Sequence, residues 1–101
     1  MIFKLERLGG VAGIIRPPAI LDTTRLEPAR AAELEKMVRD SGFFDMPTEL
    51  LPENPVPDSF QYVLTINDGI RKHTVTTTQN SAPEPLRALL QSLRGALRSN
   101  N

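Results

Sequence analysis

The sequence predicts an α+β fold, with a four-stranded antiparallel sheet and two amphipathic helices packed on one face, in the order ββαββα. Three observations carry this expectation. Phe60, Tyr62, Leu64 and Ile66 alternate with Gln61, Thr65 and Asn67, and Asn67-Asp68-Gly69 then signals a tight hairpin turn. Leu86, Leu89, Leu90, Leu93 and Leu97 recur at the helical period, giving a stripe apolar enough to lie flat on a sheet. Ile2 to Leu8 sets Phe3 and Leu5 against Lys4 and Glu6, the pattern of a half-buried strand.

The remaining elements follow in order. Ile14-Ile15-Arg16 reads as the second strand, broken by Pro17-Pro18, with Ala19-Ile20-Leu21-Asp22 as a possible continuation. Proline cannot donate to a ladder, so this strand should sit at a sheet edge or stop there. Thr23 to Glu27 leads into a helix that Pro28 suits at its first turn. Ala31, Leu34, Met37 and Val38 make its apolar face, and Gly42 is its stop. Phe43, Phe44 and Met46 then plug the core. Thr48 to Ser59, with Pro52, Pro55 and Pro57, reads as a long irregular connection covering the sheet's rim. Arg71 to Thr78, rich in Thr and Val, is the returning strand of the second hairpin. Ser81 and Glu84 stand at capping-box spacing before the last helix. The face of the sheet bearing Lys4, Glu6, Gln61 and Thr65 is expected to be solvated.

Composition limits the function. With 101 residues the chain has room for one core, so residues 1–101 are expected to form a single domain. Twelve basic and twelve acidic side chains balance, which leaves no electrostatic footprint for nucleic acid or an anionic membrane. There is no cysteine, so disulfides, thiolate metal sites and thiol chemistry are excluded. Met1 to Glu6 carries charge early and lacks a signal peptide's apolar run, and no segment reaches membrane-spanning length. The expected compartment is the cytoplasm, and the free chain is expected to be monomeric.

No catalytic or metal-binding constellation is legible. His73 is the single histidine, and no nucleophile or orienting group stands at readable spacing from it. A structural or surface role is therefore expected. Asp22 and Asp68 have turn and cap explanations. Asp40, Asp45 and Glu49 surround a helix end without calcium-loop spacing. Arg71-Lys72-His73 is a short basic run without aromatic stacking residues beside it. The sequence suggests a small non-enzymatic binding domain that needs no cofactor.

One stretch stands out. Gly9-Gly10-Val11-Ala12-Gly13-Ile14 packs three of the six glycines into five positions. Glycines permit close backbone approach, yet Val11 and Ala12 put apolar side chains at a tip where hairpins prefer Asn-Gly or Asp-Gly. Such a tip either folds back onto the sheet or is presented to a partner.

Four segments together resemble a known family. They are the glycine loop at 9–14; Asp45-Met46-Pro47 after Phe43-Phe44; the run Phe60 to Ile66 continuing to His73-Thr74-Val75; and the helix opening Ala82-Pro83-Glu84-Pro85-Leu86-Arg87. The chain resembles the emfourin family, small bacterial proteinaceous inhibitors of protealysin, a thermolysin-like zinc metallopeptidase. The resemblance runs from about Phe3 to Leu93 and is most specific in the glycine loop. It departs at Val11, where the family pattern often carries an aromatic residue. It implies a partner peptidase that holds its own zinc, and a cleft that prefers bulky apolar side chains. Gly9, Gly10, Val11, Ala12, Gly13 and Ile14 would be the partner-binding residues, with Pro52 to Asp58 or Asn67-Asp68-Gly69 as other possible contacts. A protein-interaction or regulatory domain whose partner is not a peptidase is the alternative reading.

Overall fold

The computed structural model describes residues 1–8, 18–51, 61–78 and 81–99. Five strands and two helices make up these segments. The strands are β1 (Ile2–Leu8), β2 (Ala19–Asp22), β3 (Glu49–Leu50), β4 (Gln61–Asn67) and β5 (Lys72–Thr78). The helices are α1 (Pro28–Ser41) and α2 (Glu84–Ser99). The sheet order is β2-β1-β4-β5-β3. All pairings are antiparallel except β3 with β5, which is parallel.

The four-stranded antiparallel expectation is therefore corrected to a five-stranded mixed sheet. The added strand is two residues long, below the length at which alternation becomes visible, and it falls inside the segment that reads as an irregular connection. Backbone pairing supplies what periodicity does not: Thr76 donates its N–H to the Thr48 carbonyl at 2.8 Å. The second strand lies after the proline pair, at Ala19–Asp22, and Ile14-Ile15-Arg16 lie outside the described residues. Phe60, the first member of the β4 stripe, also lies outside them.

Burial on one face organises the rest. Leu21, Phe3 and Ile66 share a rung with His73, and Leu5, Leu64 and Val75 form the next. Phe3, Leu21, Leu64, Ile66 and Val75 are all buried in one cluster with both helices. Leu34 and Val38 enter from α1, and Leu86, Leu89, Leu90, Leu93 and Ala96 enter from α2. Each such leucine contributes about 1.5–3 kcal/mol on leaving water. The opposite face carries Lys4, Glu6, Val63, Thr65, Thr74 and Thr76, all exposed or half-buried. Lys4 and Glu6 make an ion pair there at 3.5 Å, and the Thr65 and Thr74 hydroxyls meet at 2.8 Å.

The helix ends follow local chemistry. Pro28 opens α1, and Gly42 closes it in the left-handed region at φ 66°, where a side chain would be strained. A 3-10 turn at Phe43–Asp45 then drives Phe43 fully into the core, edge-on to Phe44 at 5.7 Å. Ser81 does not cap α2 as the capping-box spacing suggests. Pro83 accepts the first helical bond, from the Arg87 N–H at 2.8 Å, and the Ser81 hydroxyl turns back to the sheet.

Replacing Leu90 with Ala removes a buried side chain of α2, and we expect a loss of about 2–5 kcal/mol. The shift of the denaturant midpoint at constant slope checks it. A loss within about 0.5 kcal/mol, the usual range for surface changes, would mean that α2 does not dock as described.

Candidate functional site

The register of the sheet determines where its connections leave. Leu8 opposes Gln61, and Gln61 opposes Thr78, so the end of β1, the start of β4 and the end of β5 share one rung. Leu50 opposes Thr77, one rung further in. Residues 9–17, after Leu8, and residues 52–60, between Leu51 and Gln61, therefore both attach at the same end of the sheet. The β4–β5 turn lies at the other end, roughly 20 Å away along a seven-residue strand. Gly9, Gly10, Val11, Ala12, Gly13 and Ile14, the partner-binding residues that the sequence suggests, lie outside the described residues, as do Pro52 to Asp58.

A hydroxyl network secures this end. Thr77 Oγ1 and Ser81 Oγ both donate to the Leu50 carbonyl, at 2.9 and 2.6 Å. With its one proton committed there, Ser81 Oγ accepts from the Thr78 N–H at 3.0 Å and from Thr78 Oγ1 at 2.6 Å. Thr78 Oγ1 in turn accepts the Ser81 N–H at 3.0 Å. Every proton in this arrangement has one acceptor. The network ties the short β3 to the end of β5 and to the chain entering α2. Tyr62, buried on the same core-facing row as Thr77, lies under the Arg94 guanidinium at 5.9 Å. Sequence reasoning missed this network, although Thr77, Thr78 and Ser81 were legible as a concentration of hydroxyls at a strand end.

The other end of the sheet is a turn with structural chemistry. Asp68 Oδ1 accepts the N–H groups of Ile70 and Arg71 at 2.8 and 2.6 Å. Those two bonds, Arg71's first, hold the Asp68 carboxyl below its ordinary range. Gly69 takes φ 95°, and Ile70 stands 93% exposed at the tip. Arg71 lies 4.3 Å over the Phe44 ring and pairs with Asp68 at 3.5 Å, so the basic run is divided between different contacts. Beside it Arg39, Phe44, Asp45 and Arg71 line an open cleft of about 270 Å³.

His73 takes a structural place. Its Nε2 lies 2.7 Å from the Met46 carbonyl, and a carbonyl only accepts, so Nε2 carries the proton. Its ring meets Phe43 edge-on at 5.6 Å. This contact ties β5 to the turn after α1. Among the described residues no three His, Cys, Asp or Glu side chains gather as metal ligands, and no helix there is long and apolar enough to cross a membrane.

These features define a small α+β protein in which residues 9–17 and 52–60 attach at one end of a hydroxyl-anchored sheet. The chain belongs to the Emfourin family, whose model matches residues 5–94, nearly its whole length. Emfourins are an inhibitor family, so the chain is a protease-inhibitor-type protein. No curated protein and no solved structure matches it.

Two outcomes are expected. Ser81→Ala strands the Thr78 N–H and removes one of the two donors to the Leu50 carbonyl, which should cost about 1–3 kcal/mol in chemical denaturation. The second concerns acid. Asp68 and Asp22 both have carboxyls lowered from 3.8, Asp22 chiefly through the Thr24 hydroxyl. Their contribution to stability is complete above that value and is lost as pH falls through the lower folded-state values. Melts of the parent and Asp68→Ala should differ near neutrality and converge in strong acid.

Proposed function

We propose that the chain inhibits a thermolysin-like, protealysin-type zinc metallopeptidase by placing Gly9 to Ile14 in its active-site cleft. The family match supports the inhibitory class. The observation that carries the loop assignment is the shared rung Leu8–Gln61–Thr78. It attaches residues 9–17 to the end of a seven-residue strand inside the sheet, flanked by β2 and β4. A binding loop gains affinity when its ends are held before it meets its target. Gly9, Gly10 and Gly13 allow close backbone approach, and Val11, Ala12 and Ile14 supply apolar surface for a pocket that prefers it. Resistance to cleavage follows if the loop is held away from the geometry that attack requires.

The zinc in this reading belongs to the peptidase, and the inhibitor brings no cofactor. The chain acts as a monomer in the bacterial cytoplasm. Residues 52–60 attach at the same end and are the natural second contact, whereas Asn67-Asp68-Gly69 is at the far end and is the natural control.

The test is the inhibition constant against protealysin with a fluorogenic peptide. Val11→Asp should weaken inhibition at least tenfold, about 1.4 kcal/mol, because it places an unpaired carboxylate in a desolvated apolar pocket. Val11→Phe should hold or raise affinity where Val11 underfills the pocket. Unchanged thermal melts control for folding, and Ile70→Ala, at the far end, should leave inhibition intact. If Val11→Asp inhibits as well as the parent, cleft insertion fails. A parent that inhibits no thermolysin-like peptidase would favour an interaction module with another partner.

A further inference from the structure

Among the described residues nothing lies beyond β2 in the sheet. One bond reveals which way its backbone points. Thr23 donates its N–H to the Met1 carbonyl at 3.0 Å, continuing the register in which Ile2 opposes Asp22 and Phe3 opposes Leu21. Hydrogen-bonded and non-bonded pairs alternate along an antiparallel ladder. Phe3–Leu21 and Leu5–Ala19 therefore exchange bonds, while Ile20 and Asp22 turn their N–H and C=O groups away from β1. The Asp22 carbonyl takes the first bond of the 3-10 turn at Thr23–Arg25, so among the described residues the open edge is made by the Ile20 N–H and C=O and the Asp22 N–H. The Ile20 side chain, 62% exposed, stands beside Lys4 on the face opposite the helices. Pro18, exposed just before the strand, has no N–H to offer, so the usable edge is short.

We propose that this edge receives an extended segment of the inhibited peptidase as an added strand, with an apolar side chain of that segment beside Ile20. The proposal rests on the inhibitory reading. An extended segment is required because the outward N–H groups of Ile20 and Asp22, with the Ile20 carbonyl between them, have the two-residue spacing that another strand matches. The peptidase is the occupant for two reasons. Four residues of edge fall well short of the roughly 1,000 Å² that a specific interface needs, so a second copy would not be held there. The edge also continues directly from residues 9–17, so a partner held by the glycine loop reaches β2 without a second encounter. Main-chain bonds at β2 then add to apolar anchoring at the loop, and the Ile20 side chain pairs across the strands.

The experiment uses the full chain and protealysin. Ile20→Pro deletes the outward N–H without touching the β1–β2 ladder. It should weaken inhibition at least tenfold with unchanged melts, while Ile20→Val stays within about threefold of the parent. Amide exchange on the parent gives an independent measurement that holds even if the proline variant misfolds. The Ile20 and Asp22 amides should exchange rapidly in the free chain and become protected in the complex. A folded Ile20→Pro variant that inhibits like the parent overturns the added strand, as do amides that exchange equally fast free and bound. If Val11→Asp abolishes inhibition in the same assay, that failure leaves the inhibitory reading standing. A parent that does not inhibit overturns both.

Discussion

Everything described depends on the burial of one face of the β1–β4 pair. Phe3, Leu64 and Ile66 lie in the middle of the sheet, and the leucines of α2 and the Leu34–Val38 edge of α1 close over them. Because side chains alternate strictly along a strand, this burial fixes the register: a slip of one residue would carry Lys4 and Thr65 into the core and Phe3 and Leu64 into water. The seven consecutive β1–β4 pairs are the consequence. Once they are set, the rung shared by Leu8, Gln61 and Thr78 is set as well, and so is the end of the sheet from which the two proline- and glycine-rich segments leave.

The two ends of the sheet are held by different chemistry. At the turn end, Asp68 caps backbone amides and Arg71 packs on Phe44, which are local bonds a hairpin can make by itself. At the loop end, Thr77, Thr78 and Ser81 join the chain running from β5 into α2 to β3, 27 to 31 residues away in sequence, through two donors to one carbonyl. A half-buried network of this kind pays back only when every member is satisfied. Here each proton finds an acceptor. The result is a firm frame at the end of the sheet where residues 9–17 and 52–60 attach.

In the inhibitory reading the domain divides its work. Its helices and the core-facing side of the sheet hold the register, and residues 9–17 are joined to one end of that sheet through Leu8. His73, Asp22 and Asp68 serve turns and packing.

The sequence by itself determined the two helices, the strands β1, β4 and β5, the buried stripes and the family. Leu86 to Leu97 and Tyr62 to Ile66 carry their periodicity openly, Gly42 and Pro28 mark the ends of α1, and the glycine-loop motif points to the Emfourin relationship that the family match establishes. What only the tertiary structure decided was pairing. Glu49–Leu50 is too short to show a period, and it becomes a strand because β5 offers it a parallel edge and because Thr77 and Ser81 hold its last carbonyl. Ser81 has the spacing of a helix cap, yet it faces the sheet because two strand ends compete for the same hydroxyl and win. Such choices depend on which distant groups arrive within about 3 Å of one another, and no local pattern records that.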